Sequence, residues 1–89
     1  MIKYLYHRTN PENVNNILEE GLKCKSFYIS LSESISAWSF LGQAVFTIDI
    51  ERFIKENPSV KVTTWLPESD EICVWGNIPA EYIKEANHG

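Results

Sequence analysis

The stretch YLYHRTNPENVNNILEEGLK, residues 4–23, decides the fold class of this chain. Its opening is aromatic and apolar, suited to a pleated surface, so Ile2 to Tyr6 read as a short buried strand ending near His7. Helix signals follow at once. Asn10 can cap, Pro11 suits a first helical position where its missing N–H needs no partner, and Glu12 meets the positive end of the helix dipole. Val14, Ile17, Leu18 and Leu22 then make one apolar stripe at helical spacing, and Gly21 supplies a left-handed stop.

Outward from this unit the periodicity alternates between strand and turn. Ser26 to Leu31 reads as a second strand ending at Ser32. Ser32 and Glu33 suggest a helix start running toward Trp38 and Phe40, broken at Gly42. Ala44, Phe46, Ile48 and Ile50 fall on one face of a third strand. Ile50 to Ile54 predicts one helical turn, which Asn57-Pro58 ends. Val60 to Trp65 and Glu71 to Trp75 read as two further strands separated by Pro67-Glu68-Ser69-Asp70. Ile78 to Ile83 predicts a tight turn feeding a last short strand or helical turn. The count is about five or six strands with two short helices, an α+β order without alternating βαβ units.

The 89 residues allow one domain, 1–89, and 44% hydrophobic content with a formal charge of −4 excludes the disordered class. Only Arg8 and Arg52 among the basic residues are arginines, so sequence-independent binding to nucleic-acid phosphates is not expected. Cys24 and Cys73 do not make a disulfide framework. No signal-peptide pattern opens the chain, and no run approaches the roughly 18 apolar residues of a membrane span. The expectation is a cytoplasmic protein with reduced thiols and no membrane partner.

Three classes of chemistry find no support in the spacing. His7, Cys24, Cys73 and His88 lack any Cys-x-x-Cys or His-x-x-x-His arrangement, so no metal is expected. Four scattered glycines make no phosphate-cradling loop. Cys73, between Ile72 and Val74, reads as a buried, inert thiol. What remains is a set of polar groups beside apolar strand residues: His7 at a strand end, Tyr28 inside the second strand, and Glu71 opening the strand Glu71-Ile72-Cys73-Val74-Trp75. A charged residue in that position is solvated, paired, or lining a cleft. Each alone has a bland reading: a structural histidine, a rim tyrosine, a solvated glutamate.

In this order the three segments resemble the ADP-ribosyltransferase superfamily, and within it the His-Tyr-Glu branch shared by diphtheria-type toxins and the poly-ADP-ribose polymerases. YLYHRTNPENVNNILEEGLK is similar to the first motif, a strand ending in His-Gly-Thr or His-Gly-Ser before a helix and an Ile-Leu-x-x-Gly-Leu stop. FYISLSES is similar to the second motif, and SDEICVWGNIPAEYI to the third, with its Ile-Pro-x-Glu-Tyr-Ile ending. The likeness spans Tyr4 to Ile83. It implies a split pair of small sheets gripping NAD, the cosubstrate, in the cleft between them. His7 would bond the adenosine-side ribose, with Thr9 supporting the same loop and the backbone at Arg8 holding the nicotinamide carboxamide. Tyr28 would stack on the nicotinamide ring, Ser30 would support the site, and Glu71 would be catalytic through the 2′-hydroxyl of the nicotinamide ribose.

The chain departs from the family at Arg8, where glycine is usual. It also has Ser69, two residues before Glu71, where the arginine-modifying branch has Glu or Gln. The leading expectation is therefore transfer of ADP-ribose, with loss of nicotinamide, to an acceptor other than protein arginine. A protein, a nucleic acid and a small molecule all stay open as acceptor. The competing expectation is a catalytically inactive module of the same fold that inhibits or regulates a protein partner, as on mobile elements. An RNA 2′-phosphotransferase, which needs more arginines, and a bare structural domain rank below.

Overall fold

The computed structural model describes residues 3–25, 27–33, 44–64 and 71–88, with side chains as far as 84. These residues form six strands: β1 Tyr4–Thr9, β2 Ile29–Ser32, β3 Ala44–Asp49, β4 Lys61–Thr64, β5 Glu71–Trp75 and β6 Ile83–His88. All pairings are antiparallel, in the order β4-β5-β2-β1-β3-β6. A single 3-10 turn over Pro11–Asn13 leads into helix α1, Val14–Glu20, and helix α2 covers Ile50–Glu56.

β1 runs two residues beyond the expected end at His7. All six of its residues find partners on β3, from Tyr4↔Asp49 to Thr9↔Ala44, and that ladder carries the strand through Thr9. β2 begins one residue after Tyr28, so Tyr28 is not inside a strand. α2 extends to Glu56 where the sequence suggests one turn. The Asp49 carboxylate accepts from Arg52 N–H at 3.3 Å, satisfying an orphan donor of the first turn. Ile83–His88 is the last strand, preceded by a 3-10 turn over Ala80–Tyr82. The helix expected from Ser32-Glu33 toward Phe40, and the Pro67–Asp70 separator, lie outside the described residues.

The core follows from strand alternation. Leu5 on β1, Ile29 and Leu31 on β2, Ala44, Phe46 and Ile48 on β3, and Val74 on β5 belong to one buried cluster. Val14 of α1, and Ile50 and Phe53 of α2, close over it with Leu22, Ile78 and Tyr82. Burying Phe46 and Phe53, at 0% and 1% exposure, contributes roughly 1.5–3 kcal/mol each. Behind α1, Leu22 and Ile78 exchange both backbone hydrogen bonds at 2.8 Å. Gly21 permits this approach: its φ is +83°, and a Cβ there would lie 2.4 Å from the Ile78 carbonyl oxygen.

Tyr82 ties α2 to the strand that follows it. Its hydroxyl donates to Glu56 Oε1 at 2.8 Å and accepts from Asn57 Nδ2 at 3.1 Å. Arg52 lies over its ring, 4.8 Å from the centroid, and donates to Glu56 and to the Glu81 carbonyl. Among the described residues no helix is long and apolar enough to cross a membrane.

Candidate functional site

The two halves of the sheet meet at one rung. Among the described residues β1 and β2 pair only at Tyr6↔Ser32, whereas β1 and β3 share six pairs and β2 and β5 share four. Past that rung β1 continues through His7, Arg8 and Thr9 on β3, while β2 arrives from Tyr28 alongside β5. By pairing, the expected pair of small sheets is one six-stranded sheet, and the stretch between β1 and β2 beyond the Tyr6↔Ser32 rung, crossed by the His7–Ser30 bond, is the wedge between its halves β4-β5-β2 and β1-β3-β6. Tyr6 and Ser32 form its apex.

His7 sits on the β1 wall, half-buried. Its Nδ1 lies 3.0 Å from the Ser30 carbonyl oxygen on the β2 wall. A carbonyl only accepts, so Nδ1 carries the proton and donates. Burial pushes the imidazole pKa below its ordinary 6.5, with the bond to Ser30 opposing. The ring is therefore neutral near neutral pH, and Nε2 holds a lone pair.

Ser30 works in two directions. Its carbonyl holds His7, and its hydroxyl donates to Glu71 Oε2 at 2.5 Å. The β2–β5 register explains this meeting: Ser30↔Cys73 and Ser32↔Glu71 put Ser30, Ser32, Glu71, Cys73 and Trp75 on one face. Ile29, Leu31, Ile72 and Val74 alternate to the core side. A charge-assisted bond of this length fixes the carboxylate's orientation.

Tyr28 joins from the start of β2. Its ring lies 5.1 Å from that of Trp75 at an interplanar angle of 51°. Desolvation raises the phenol pKa, the charges of Glu71 and Cys73 add to the rise, and a hydrogen bond with Ser30 opposes it. Tyr28 is thus in electrostatic reach of both Ser30 and Glu71. Trp75 is braced in turn: its Nε1 donates to Thr63 Oγ1 at 3.0 Å, and the Lys61 ammonium lies 5.3 Å from its ring centroid.

His7, Tyr28, Ser30 and Glu71 are therefore brought together. Arg8 and Thr9 follow His7 on the same wall, Thr9 on the face that carries His7 and Arg8 on the other. Across the Tyr6↔Ser32 rung alternation puts Arg8, opposite Val45, on the side of Ser32 and Glu71, and His7 on the side of Leu5, from which it reaches the Ser30 carbonyl. Thr9 Oγ1 accepts from Asn13 Nδ2 of the 3-10 turn at 3.1 Å. Thr9 also borders a cavity of about 310 Å³ that Asn13, Ile17, Leu22 and Lys25 help to line. That cavity adjoins the wedge at its β1 wall and is centred on α1, not on Glu71. Among the described residues no three His, Cys, Asp or Glu side chains gather as a metal would need.

Trp75 is the one participant the sequence reading does not single out. The available signal was alternation: Trp75 lies four residues from Glu71, hence on the same face, opposite the residue two before Ser30. As assembled, the wedge offers a neutral imidazole acceptor, an oriented carboxylate and an aromatic face. Neither a protein-family model nor a curated protein matches the chain.

Proposed function

We propose that the chain is an NAD-dependent ADP-ribosyltransferase whose cosubstrate lies in the wedge between β1 and β2. The observation that carries the reading is the bond sequence His7–Ser30–Glu71, which spans the wedge and places a recognition group and a carboxylate at fixed positions on its two walls. Residues sharing no sequence neighbourhood meet through one serine.

In this reading NAD supplies the labile bond, between the ribose C1′ and the nicotinamide nitrogen. Nicotinamide leaves with that electron pair, an acceptor nucleophile forms the new bond to C1′, and the acceptor's proton passes to solvent or a base. Glu71, held by Ser30, stabilises the positive charge that develops on the ribose only as the bond breaks. Such differential stabilisation accelerates chemistry without merely tightening binding. Tyr28 packs against the leaving ring through its π-face. His7 orients the far ribose through Nε2.

The test is titration of the purified protein with NAD by calorimetry, followed by measurement of nicotinamide release with and without a cell extract. Saturable binding and extract-stimulated release support the transferase. Arg8, at the position where the resembled family has glycine, favours the second reading, a binding module of the same fold. Absence of NAD binding removes the transferase and leaves that module in the lead.

A further inference from the structure

We propose that the face of the sheet bearing Glu71 is a binding platform for a short single strand of nucleic acid. Three of the eight basic residues carry the argument. The Lys3 and Lys84 ammonium groups lie 5.5 and 5.7 Å from the centroid of the Tyr4 ring, and that of Lys61 lies 5.3 Å from the centroid of Trp75. All three lysines are exposed, and no described carboxylate forms an ion pair with any of them. Asp49 and Glu71, on the same face, are engaged instead with Arg52 N–H and the Ser30 hydroxyl. A chain of net charge −4 thus sets unmatched positive charge against aromatic rings at two corners of one face.

The register places those corners. Tyr4 is two residues from Tyr6, whose partner Ser32 pairs in turn with Glu71, and Trp75 is four residues from Glu71. Alternation therefore gives Tyr4, Glu71 and Trp75 one face, with the row of Glu71 between the two corners. At ~3.3 Å per residue and ~4.8 Å between strands, the corners stand about 20 Å apart. Trp75 is 36% exposed, and its bond to Thr63 Oγ1 holds the ring in place.

A nucleotide answers both parts of each corner. Its base stacks on a ring, and its phosphate takes the ammonium, which the flexible lysine stem swings off the ring to meet. An acidic peptide answers the lysine alone, and a duplex keeps its bases from the rings. The scarcity of arginine fits a short strand held by stacking rather than a groove that tracks phosphates. A strand that reaches both corners passes Glu71. On the transferase reading, on which this consequence alone rests, that strand is the acceptor.

The test is fluorescence anisotropy of a labelled oligothymidylate of about eight nucleotides, at low salt and without NAD. Saturable binding is expected, the logarithm of affinity falling against that of salt with a slope of about −2 for three lysines. Trp75→Leu is expected to weaken binding roughly five- to a hundred-fold, and Lys3→Gln combined with Lys84→Gln to reduce the slope to about −0.7. Absence of binding, equal binding of a duplex of the same length, or capture of oligoglutamate in its place overturns the proposal. Unchanged affinity in Trp75→Leu, or in the lysine pair where Trp75→Leu does not fold, overturns it as well. Oligonucleotide binding without NAD binding keeps the platform and removes the transferase; NAD binding alone does the reverse.

Discussion

The carbonyl and the hydroxyl of Ser30 serve different masters, one the β1 wall and one the β5 strand, and the chemistry of the wedge divides along the same line. Glu71→Gln keeps shape and its bond to Ser30 but removes the charge. Turnover is expected to fall by about two orders of magnitude or more while NAD affinity stays within a few-fold, the pattern for a group that acts in the transition state. Steady-state kinetics beside calorimetry separates the two, and equal losses would reduce Glu71 to a positioning role. His7 has a signature that needs no ligand. Its pKa is lower in the folded than in the unfolded protein, where 6.5 is the reference, so the unfolded chain binds the extra proton first. Stability carried by the neutral ring is complete above 6.5 and is lost as pH falls through the folded pKa. The urea midpoint is expected to drop between about pH 7.5 and about pH 5.5, and to drop less in His7→Gln; an equal drop would assign the acid sensitivity elsewhere. His7 and Glu71 were visible in the sequence as polar groups beside apolar strand residues. The double use of Ser30 was not, because a backbone carbonyl has no side-chain signal and the β2–β5 register that aims its hydroxyl is a long-range property.

Elements were legible where the signal is local. Pro11 opens the 3-10 turn that leads into α1, the Val14–Ile17 stripe and Gly21 mark α1 itself, and the β-branched run of β5 appears with its observed limits. The sequence suggests a single turn for α2 because its two-turn length depends on Asp49 as a cap and on the Tyr82–Glu56 bond, one of them distant in sequence. β1 looks short in sequence for a similar reason: polar His7, Arg8 and Thr9 resemble a strand's end until β3 supplies partners for all of them. Gly21 is the element-scale position most exposed to substitution. In Gly21→Ala a methyl must enter within 2.4 Å of the Ile78 carbonyl and 2.8 Å of the Ala80 nitrogen, at a φ of +83° that non-glycine residues rarely adopt. Urea denaturation is expected to show a loss of roughly 2–4 kcal/mol. A loss under about 0.5 kcal/mol would mean that the Leu22–Ile78 bridge shifts freely and does not hold α1 in place.

At the scale of the molecule, one rung joins two half-sheets that share a core. β1 has a complete ladder on its β3 side, and among the described residues its one rung on the β2 side is Tyr6↔Ser32. Hydrogen exchange is expected to divide accordingly: amides of His7–Thr9 directed at β3 exchange slowly, and those directed into the wedge exchange fast. Saturating NAD is expected to slow the second group alone. Uniform protection along both sides of β1 in the ligand-free protein would show that the wedge is closed in solution. The strand order also has a consequence in time. On a translating ribosome β1 emerges before the others, yet it belongs at the centre of the sheet, flanked by β2 and β3, while β6, made last of the six, finishes one edge. The earliest strand therefore waits for partners encoded far downstream, an arrangement of non-local pairings that folds slowly. A nascent chain stalled before Ile83 lacks the outer strand of the half-sheet that carries His7. The opening between β1 and β2 therefore has both of its complete half-sheets beside it only once β5 and β6 have followed β3 out of the exit tunnel.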